Sequence, residues 1–325
     1  MSPFPSLHIV SLTALGTLGA APALAQTFPE RPMRMIVPFA PGGVADIVAR
    51  IIGQKMGETF GQSVVIDNRT GAGGAIAGET VAKAKPDGYT ILLCSSSVAV
   101  INPLLAATTP YDPQRDFAPI SLVSYAPFVL LVHPSSPLGS VRDLIAAARA
   151  KPGAITFGSA GVGSASHLVG EVFKSSAKVD LTHVPYKGTA LAANALLSGE
   201  LQLSFDSITA ALPHLKGGRL RALGITARKP SALAPDIPTV SDSGVPGFEG
   251  ITWQGMCAPA ATPRPVMQVL SKAVVGAVKA PDVVQRFATL AVEGVGNSPE
   301  EFRAFIKSEH ARWSKAIREA GIKAQ

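Results

Sequence analysis

Glycines and hydroxyl-bearing residues collect in this chain where short apolar runs end. The stretch "VPFAPGGVADIVAR" (37–50) frames Gly42 and Gly43 with prolines, and "CSSSVAVINP" (94–103) sets Ser95 and Ser96 directly after Cys94. Further on, "ITFGSAGVGSASHL" (155–168) supplies Ser159, Gly161, Gly163 and Ser164. The stretch "HVPYKGTALAANALL" (183–197) adds Tyr186, Lys187, Gly188 and Thr189, and "LSFDSITAALPHL" (203–215) ends a run on Asp206 and Ser207. Glycine lets a ligand reach backbone N–H groups, and serine adds hydroxyl donors. Such groups suit a carboxylate, which accepts up to about four hydrogen bonds.

Other chemistries fail on spacing. In "GAGGAIAG" (71–78) Ile76 stands where a G-x-G-x-x-G dinucleotide fingerprint needs its last glycine. Around Ser159 and Ser164 the pattern is not the G-x-S-x-G nucleophile elbow, and no G-x-x-x-x-G-K-[ST] occurs. No Cys/His spacing matches a zinc site, so neither metal nor cofactor is expected. His167 falls inside a helical segment on its leucine-bearing side, as a packed core histidine or as a base for Ser164 in an α/β hydrolase. Lys187 reads as an anion contact or a solvated rim residue, and Asp46 as a brace for the first turn.

Holding these groups takes strands that stop abruptly and helices that begin at once. Pro38 and Pro41 cannot donate to a sheet, so the run Met35, Ile36, Val37 ends there. Val44, Ile47, Val48, Ile51 and Ile52 then recur at three- and four-residue spacing, one face of a helix. That helix would present unpaired N–H groups and a partial positive charge to anything docked at the glycines. Strands are expected at 33–37, 63–67, 90–94, 128–132, 154–157, 181–184, 201–205 and 221–226, with helices after most of them. Ser140 with Asp143 opens one helix; Ser298, Pro299 and Glu301 open the last, whose stripe is Phe302, Phe305, Ile306, Trp313 and Ile317. The alternation implies an α/β fold with mostly parallel strands flanked by helices.

Two extended stretches mark places where the chain changes domain: "SLVSYAPFVLLVHPSSP" (121–137) and "SGVPGFEGITWQGMCAPAATP" (243–263). The reading is one discontinuous domain, 26–127 with 253–325, and a second, 128–252, joined by two hinge strands. Ligands bind at the carboxyl ends of parallel strands, so the glycine turns of both domains would face one cleft. Trp253, on the return strand, would wall that cleft or pack beneath it.

Residues 1–25 read as a signal peptide, with an apolar stretch and Ala23-Leu24-Ala25 before Gln26, although no Lys or Arg precedes that stretch. The formal charge of +7 comes from scattered basic residues, and aromatics make up only 6 % of the chain, which argues against nucleic acid as a partner. Cys94 and Cys257, the only cysteines, lie in apolar runs and read as buried thiols, with a disulfide left open by secretion.

Six stretches together resemble the tripartite tricarboxylate transporter substrate-binding family, also called Bug receptors: "VPFAPGGVADIVAR", "DNRTGAGGAIAG", "FGSAGVGSASHL", "HVPYKGTALAANALLSGEL", "FDSITAALPHLKGGRLRALGIT" and "SPEEFRAFIKSEHARWSKAIREAGIK". They run in order through essentially the whole mature chain. The resemblance implies a monomeric periplasmic receptor with a two-domain clamshell of the type II periplasmic-binding class. It implies no catalysis, a small organic carboxylate as ligand, and delivery to a membrane permease; a sensor subunit for a signalling partner is the alternative. It also carries ligand contacts onto Phe39, Ala40, Pro41, Gly42, Gly43 and Ala45 on one wall, and onto Ser159, Ala160, Gly163 and Ser164 on the other. Many relatives carry Thr or Ser near position 45, where this chain has Val44-Ala45. That departure removes a hydroxyl and leaves room for a more apolar or aromatic acid.

Overall fold

The computed structural model describes residues 28–322 apart from 107, 232 and 320. The expected signal peptide, 1–25, lies outside the described residues.

The first unit alternates strand and helix: β1 (Met33–Val37), α1 (Val44–Phe60), β2 (Val64–Asn68), α2 (Ala75–Ala82) and β3 (Thr90–Ser95). After β3 a wide turn, Ser97–Ile101, leads into the short helices α3 (Asn102–Leu105) and α4 (Pro113–Asp116). β4 (Phe117–Val132) follows as one strand of 16 residues, longer than the expected 128–132. A second unit repeats the alternation with α5 (Val141–Ala150), β5 (Thr156–Ser159), α6 (Ala165–Ala177), β6 (Thr182–Pro185) and α7 (Thr189–Leu197). It is completed by β7 (Leu203–Ser207), α8 (Ile208–Lys216) and β8 (Arg221–Ile225). β9 (Ile251–Pro259) returns to the first unit, and α9 (Arg264–Lys279), α10 (Pro281–Thr289), β10 (Glu293–Gly294) and α11 (Pro299–Glu319) close the chain.

The strands run in the order β2-β1-β3-β9-β4-β7-β5-β6, with β8 and β10 also on β4. β2-β1-β3 and β6-β5-β7 are parallel wings, as strand-helix-strand connections require. β4 and β9 are antiparallel to their neighbours, which makes the whole a mixed sheet. Residues Phe117 to Pro127 of β4 pair with β9, while Phe128 to Leu131 pair with β7 and Val129 to Val132 with β8. The register slips near Pro119 and again between Leu122 and Ser124, and Pro119, which has no N–H to give, accounts for the first slip. Pro127 stands where β4 changes partners. The next residue, Phe128, donates its N–H to Thr226 Oγ1 at 2.8 Å, and the Thr226 hydroxyl in turn reaches Gly250 O. One side chain thus ties the outgoing and returning strands.

Cys94 and Cys257 are free and buried on the neighbouring strands β3 and β9. Ser140 and Ser298 accept from the N–H groups of Asp143 and Glu301, and Glu301 returns a bond to the Ser298 N–H, the capping pattern read from the sequence. No helix among the described residues is long and apolar enough to cross a membrane.

Candidate functional site

β1 stops before Pro38, and the chain turns through Gly42, whose φ of +92° suits glycine, into α1. Asp46 holds this turn. Its Oδ2 accepts from the Gly42 N–H at 3.1 Å and from Arg50 at 2.9 Å; its Oδ1 accepts from Arg50 at 2.9 Å and from Asn68 Nδ2 at 3.1 Å. Asn68 also reaches Phe39 O at 2.8 Å. Burial pushes the Asp46 carboxyl up, but Arg50, the Gly42 N–H and Asn68 outweigh it and hold the group below the usual carboxylate range. Gly43, the N-cap, has no side chain to cap α1, so first-turn N–H groups stay available for a ligand.

The facing wall is built from hydroxyls. Ser164 caps α6 by accepting from the His167 N–H at 3.2 Å, and Ser166 Oγ accepts from the Ala160 N–H at 2.9 Å. Ser97 Oγ reaches across from the first unit to accept from the Ala165 N–H at 2.9 Å, and Ser207 caps α8 through the Ala210 N–H at 3.3 Å. A hydroxyl oxygen that already accepts still has its own proton to give. Ser164 and Ser166 lie 3.2 Å apart and share one of theirs; the rest are donors in waiting.

These groups surround a slot lined by Phe39, Gly43, Val44 and Ala45 on one side and by Ala160, Ser164, Ala165 and Ser166 on the other. Thr189, Asp206 and Ser207 form its floor with Phe128, Ser97, Thr252 and Gln254. The first turns of α1, α6 and α7 and the N-cap of α8 all open onto it, so four partial positive charges meet in one place. The slot is narrow, with about 380 Å³ free of atoms. The walls already touch: the Ala40 N–H donates to Lys187 O at 3.2 Å, and a Cβ on Gly73 would sit 2.2 Å from Val162 O. One buried oxygen lining the slot, Gln254 Oε1, has no hydrogen-bond partner.

A wider depression lies beside Arg149, Lys174 and Lys178. It adjoins the C-terminal ends of α5 and α6, where the helix charge is negative, and Lys174 is already paired with Glu171 and Asp180. The slot is therefore the better anion site.

Of the residues expected from the sequence, Phe39, Gly43, Ala45, Ala160, Ser164 and Asp206 line the slot. The others support it or turn away. Pro41 and Gly42 are exposed, and the Ala40 N–H is spent on the opposite wall. Ser95 Oγ accepts from the Val98 N–H, and Ser96 is buried against Thr252. Ser159 Oγ is bonded to His183 Nε2 at 2.6 Å, and the Gly163 N–H donates to His167 Nδ1 at 3.3 Å. Tyr186 packs on the apolar cluster of α7 and α8. Sequence reasoning missed Ser97, Phe128, Ala165, Ser166, Thr252 and Gln254. The last two could have been found from the period of two on β9: Trp253 points into the core, so its neighbours face the other way. Trp253 is fully buried on Phe302 and Phe305 and donates its indole N–H to Glu309 at 3.1 Å, so it packs instead of walling the slot.

His167 is a core histidine stacked on His183, with ring centroids 4.1 Å apart. Ser164 takes the backbone N–H of His167 and not its ring, so these two do not form a nucleophile and base. Burial, and for His183 the neighbouring His167 as well, pushes these rings down to about 4 and about 3 respectively, keeping both neutral.

Residues 48–322 match the model of the tripartite tricarboxylate transporter family receptor, TctC. This chain belongs to that family. Among solved structures it is similar to R. palustris Rpa4515 with adipate, at 36 % identity over 91 % of this chain and 99 % of that one, TM-score 0.88. The periplasmic binding protein BugD matches at 36 % identity over 92 % of this chain and 100 % of that one, TM-score 0.88. MatC from Rhodopseudomonas palustris with bound malate matches at 33 % identity over 89 % and 100 %, TM-score 0.86. The chain thus has the fold of the Bug-type solute receptors, a transport family with carboxylate ligands among its solved members.

Proposed function

We propose that this protein is an extracytoplasmic receptor that captures a small carboxylate, a di- or tricarboxylate or an aromatic acid, in the slot and hands it to a tripartite tricarboxylate-type membrane transporter. The observation that carries this reading is the meeting of four helix N-termini with serine hydroxyls whose protons remain free. Phe39 to Gly43 and Ala45 form one jaw; Ser159, Ala160, Gly163 and Ser164 form the other, with Thr189, Ser207 and Gln254 as further donors. Residues 26–127 with 253–325 move as one lobe against 128–252, and the turning points are the change of partners at Pro127 and the Thr226 knot. A ligand touching both walls favours the closed form because only that form lets both touch it. Export through the N-terminal segment fits the periplasmic BugD match, and transport fits the family.

The test is a thermal-shift screen of the chain from Gln26 onward against a carboxylate library at fixed salt. A ligand at 100 times its dissociation constant adds about 2.7 kcal/mol of stability. At Gly43, φ is −79° and an added Cβ would meet only Thr189 Oγ1 at 3.4 Å, so Gly43→Asp folds while placing a negative charge at the start of α1. A shift in the native protein that is absent in Gly43→Asp supports the site. An equal shift in both places the ligand elsewhere.

A further inference from the structure

A receptor built to hold an anion carries a carboxylate in its own slot. Asp206, next to last in β7, is 1 % exposed and lines the slot beside Thr189 and Ser207. Its Oδ1 accepts from the Ser207 N–H at 2.7 Å. No cation neutralises it among the described residues: β5 and α7 bear no titratable side chain, and β4 bears only Tyr125. On α8 the titratable residues are His214 and Lys216, in the last turn. On α6, His167 is held neutral, and Glu171 and Lys174 pair with each other. Lys187, on the turn before α7, is exposed, and across the slot Asp46 and Arg50 satisfy one another. An anion entering here meets four helix N-termini that attract it and one carboxylate that repels it unless that carboxylate is neutral.

Resting on the carboxylate-receptor reading, we infer that Asp206 binds ligand as the protonated acid, donating its O–H to a ligand carboxylate oxygen, so that capture of the anion takes up one proton from solution. The balance is simple. One proton leaves the solvent for Asp206, the ligand enters fully ionised, and no covalent bond to the ligand forms or breaks. Burial already raises the carboxyl to about 6 without ligand, against Thr189 and the Ser207 N–H, which favour the charged form. An added negative charge within hydrogen-bond reach raises it further. The sign follows: affinity is flat below about pH 6 and falls toward tenfold per pH unit above it, until the bound-state value is passed. A ligand ammonium paired with a charged Asp206 would do the reverse and release protons.

The experiment is calorimetric titration of the chain from Gln26 onward with adipate, and separately with malate, between pH 6.5 and 8.5, where simple carboxylic acids are ionised. Each titration is run in two buffers of different ionisation enthalpy. The expected result is uptake of up to one proton and a dissociation constant that rises steadily with pH. Asp206→Asn keeps an N–H donor but cannot titrate, so its binding loses both the pH dependence and the proton uptake; at pH 8.5 it binds more tightly than the native protein, by up to about 300-fold, tenfold for each pH unit above about 6. Binding in the native protein with no proton uptake and a flat pH profile overturns the inference and leaves the receptor reading intact. Proton release, or loss of binding of both acids in a folded Asp206→Asn, overturns it, because a neutral acid that donates to the ligand carboxylate produces neither. No binding of either acid, or of any acid in the library, at any pH removes the carboxylate reading itself, and this inference with it.

Discussion

The two walls of the slot do the same work with opposite means. The wall at Phe39 to Asp46 has no hydroxyl of its own and is held by an ionic network, Asp46 with Arg50, Asn68 and the Gly42 N–H, behind a glycine turn. The wall at Ser159 to His167 has no charge. It is held by serine oxygens on backbone N–H groups and by two stacked neutral histidines. A rigid turn can therefore be bought with charge at the surface or with neutral hydrogen bonds in the interior, depending on burial. Arg50 is half exposed and can stay solvated while it pairs, whereas His167 and Ser159 are almost fully buried, where an unpaired charge is costly.

Acid should break this symmetry most strongly. The folded values of His167 and His183, about 4 and about 3, lie below the ordinary 6.5, so from pH 6.5 downward the unfolded chain binds protons that the native one refuses. Stability present above pH 6.5 is lost as the pH falls toward 4, by up to about 1.4 kcal/mol per pH unit for each ring. Asp46 is also shifted down, but from a lower ordinary value: its contribution is intact above 3.8 and is lost only as the pH falls below that. Urea denaturation at pH 7, 5.5 and 4.5 in an Asp206→Asn background, which removes the opposite contribution of the raised Asp206 carboxyl, thus reads the buried histidines and not Asp46. A native-to-Asp46→Ala difference that also shrinks between pH 7 and 4.5 would show that the walls are not separable in this way.

Next in size is the brace of the first wall. Asp46→Ala strips partners from Gly42, Asn68 and Arg50, for an expected cost of about 2 kcal/mol at pH 7, given that the exposed Arg50 returns to water. Denaturant midpoints measure it, and a change within error would mean that the turn stands without its carboxylate. On the second wall, Ser164→Ala removes a helix cap and should cost about 1 kcal/mol. The smallest effect belongs to the link between the walls. Ser97→Ala leaves the Ala165 N–H without its acceptor in the closed form, and should weaken adipate binding several-fold with little change in the melting temperature of the free protein.

Much of this was legible in the sequence because local signals and tertiary structure agree. Pro38, Gly42 and the spacing from Val44 to Ile52 specify strand, turn and helix, and β1 is found at the expected 33–37. Asp46 as a brace followed from a carboxylate in the first helical turn. The start of β4 at Phe117 did not follow, since Pro119 inside a run argues against a continuous strand; the bulge beside it resolves the conflict. Part of the floor of the slot was also hidden. Thr252 and Gln254 come from β9, far along the chain, and only the pairing of β9 with β3 and β4 brings them beside residues 43–45 and 164–166. Ser95 and Ser96 were near misses of the same kind, because it is Ser97, at the start of the wide turn, that reaches the slot.

The most direct measurement is a backbone-amide NMR titration of the chain from Gln26 onward with adipate. The account predicts that the largest shifts fall together, with one dissociation constant, on the first-turn amides of four helices: residues 43–45, 165–166, 189–190 and 208–209. Shifts centred instead on Arg149, Lys174 and Lys178, or confined to one wall of the slot, would contradict it.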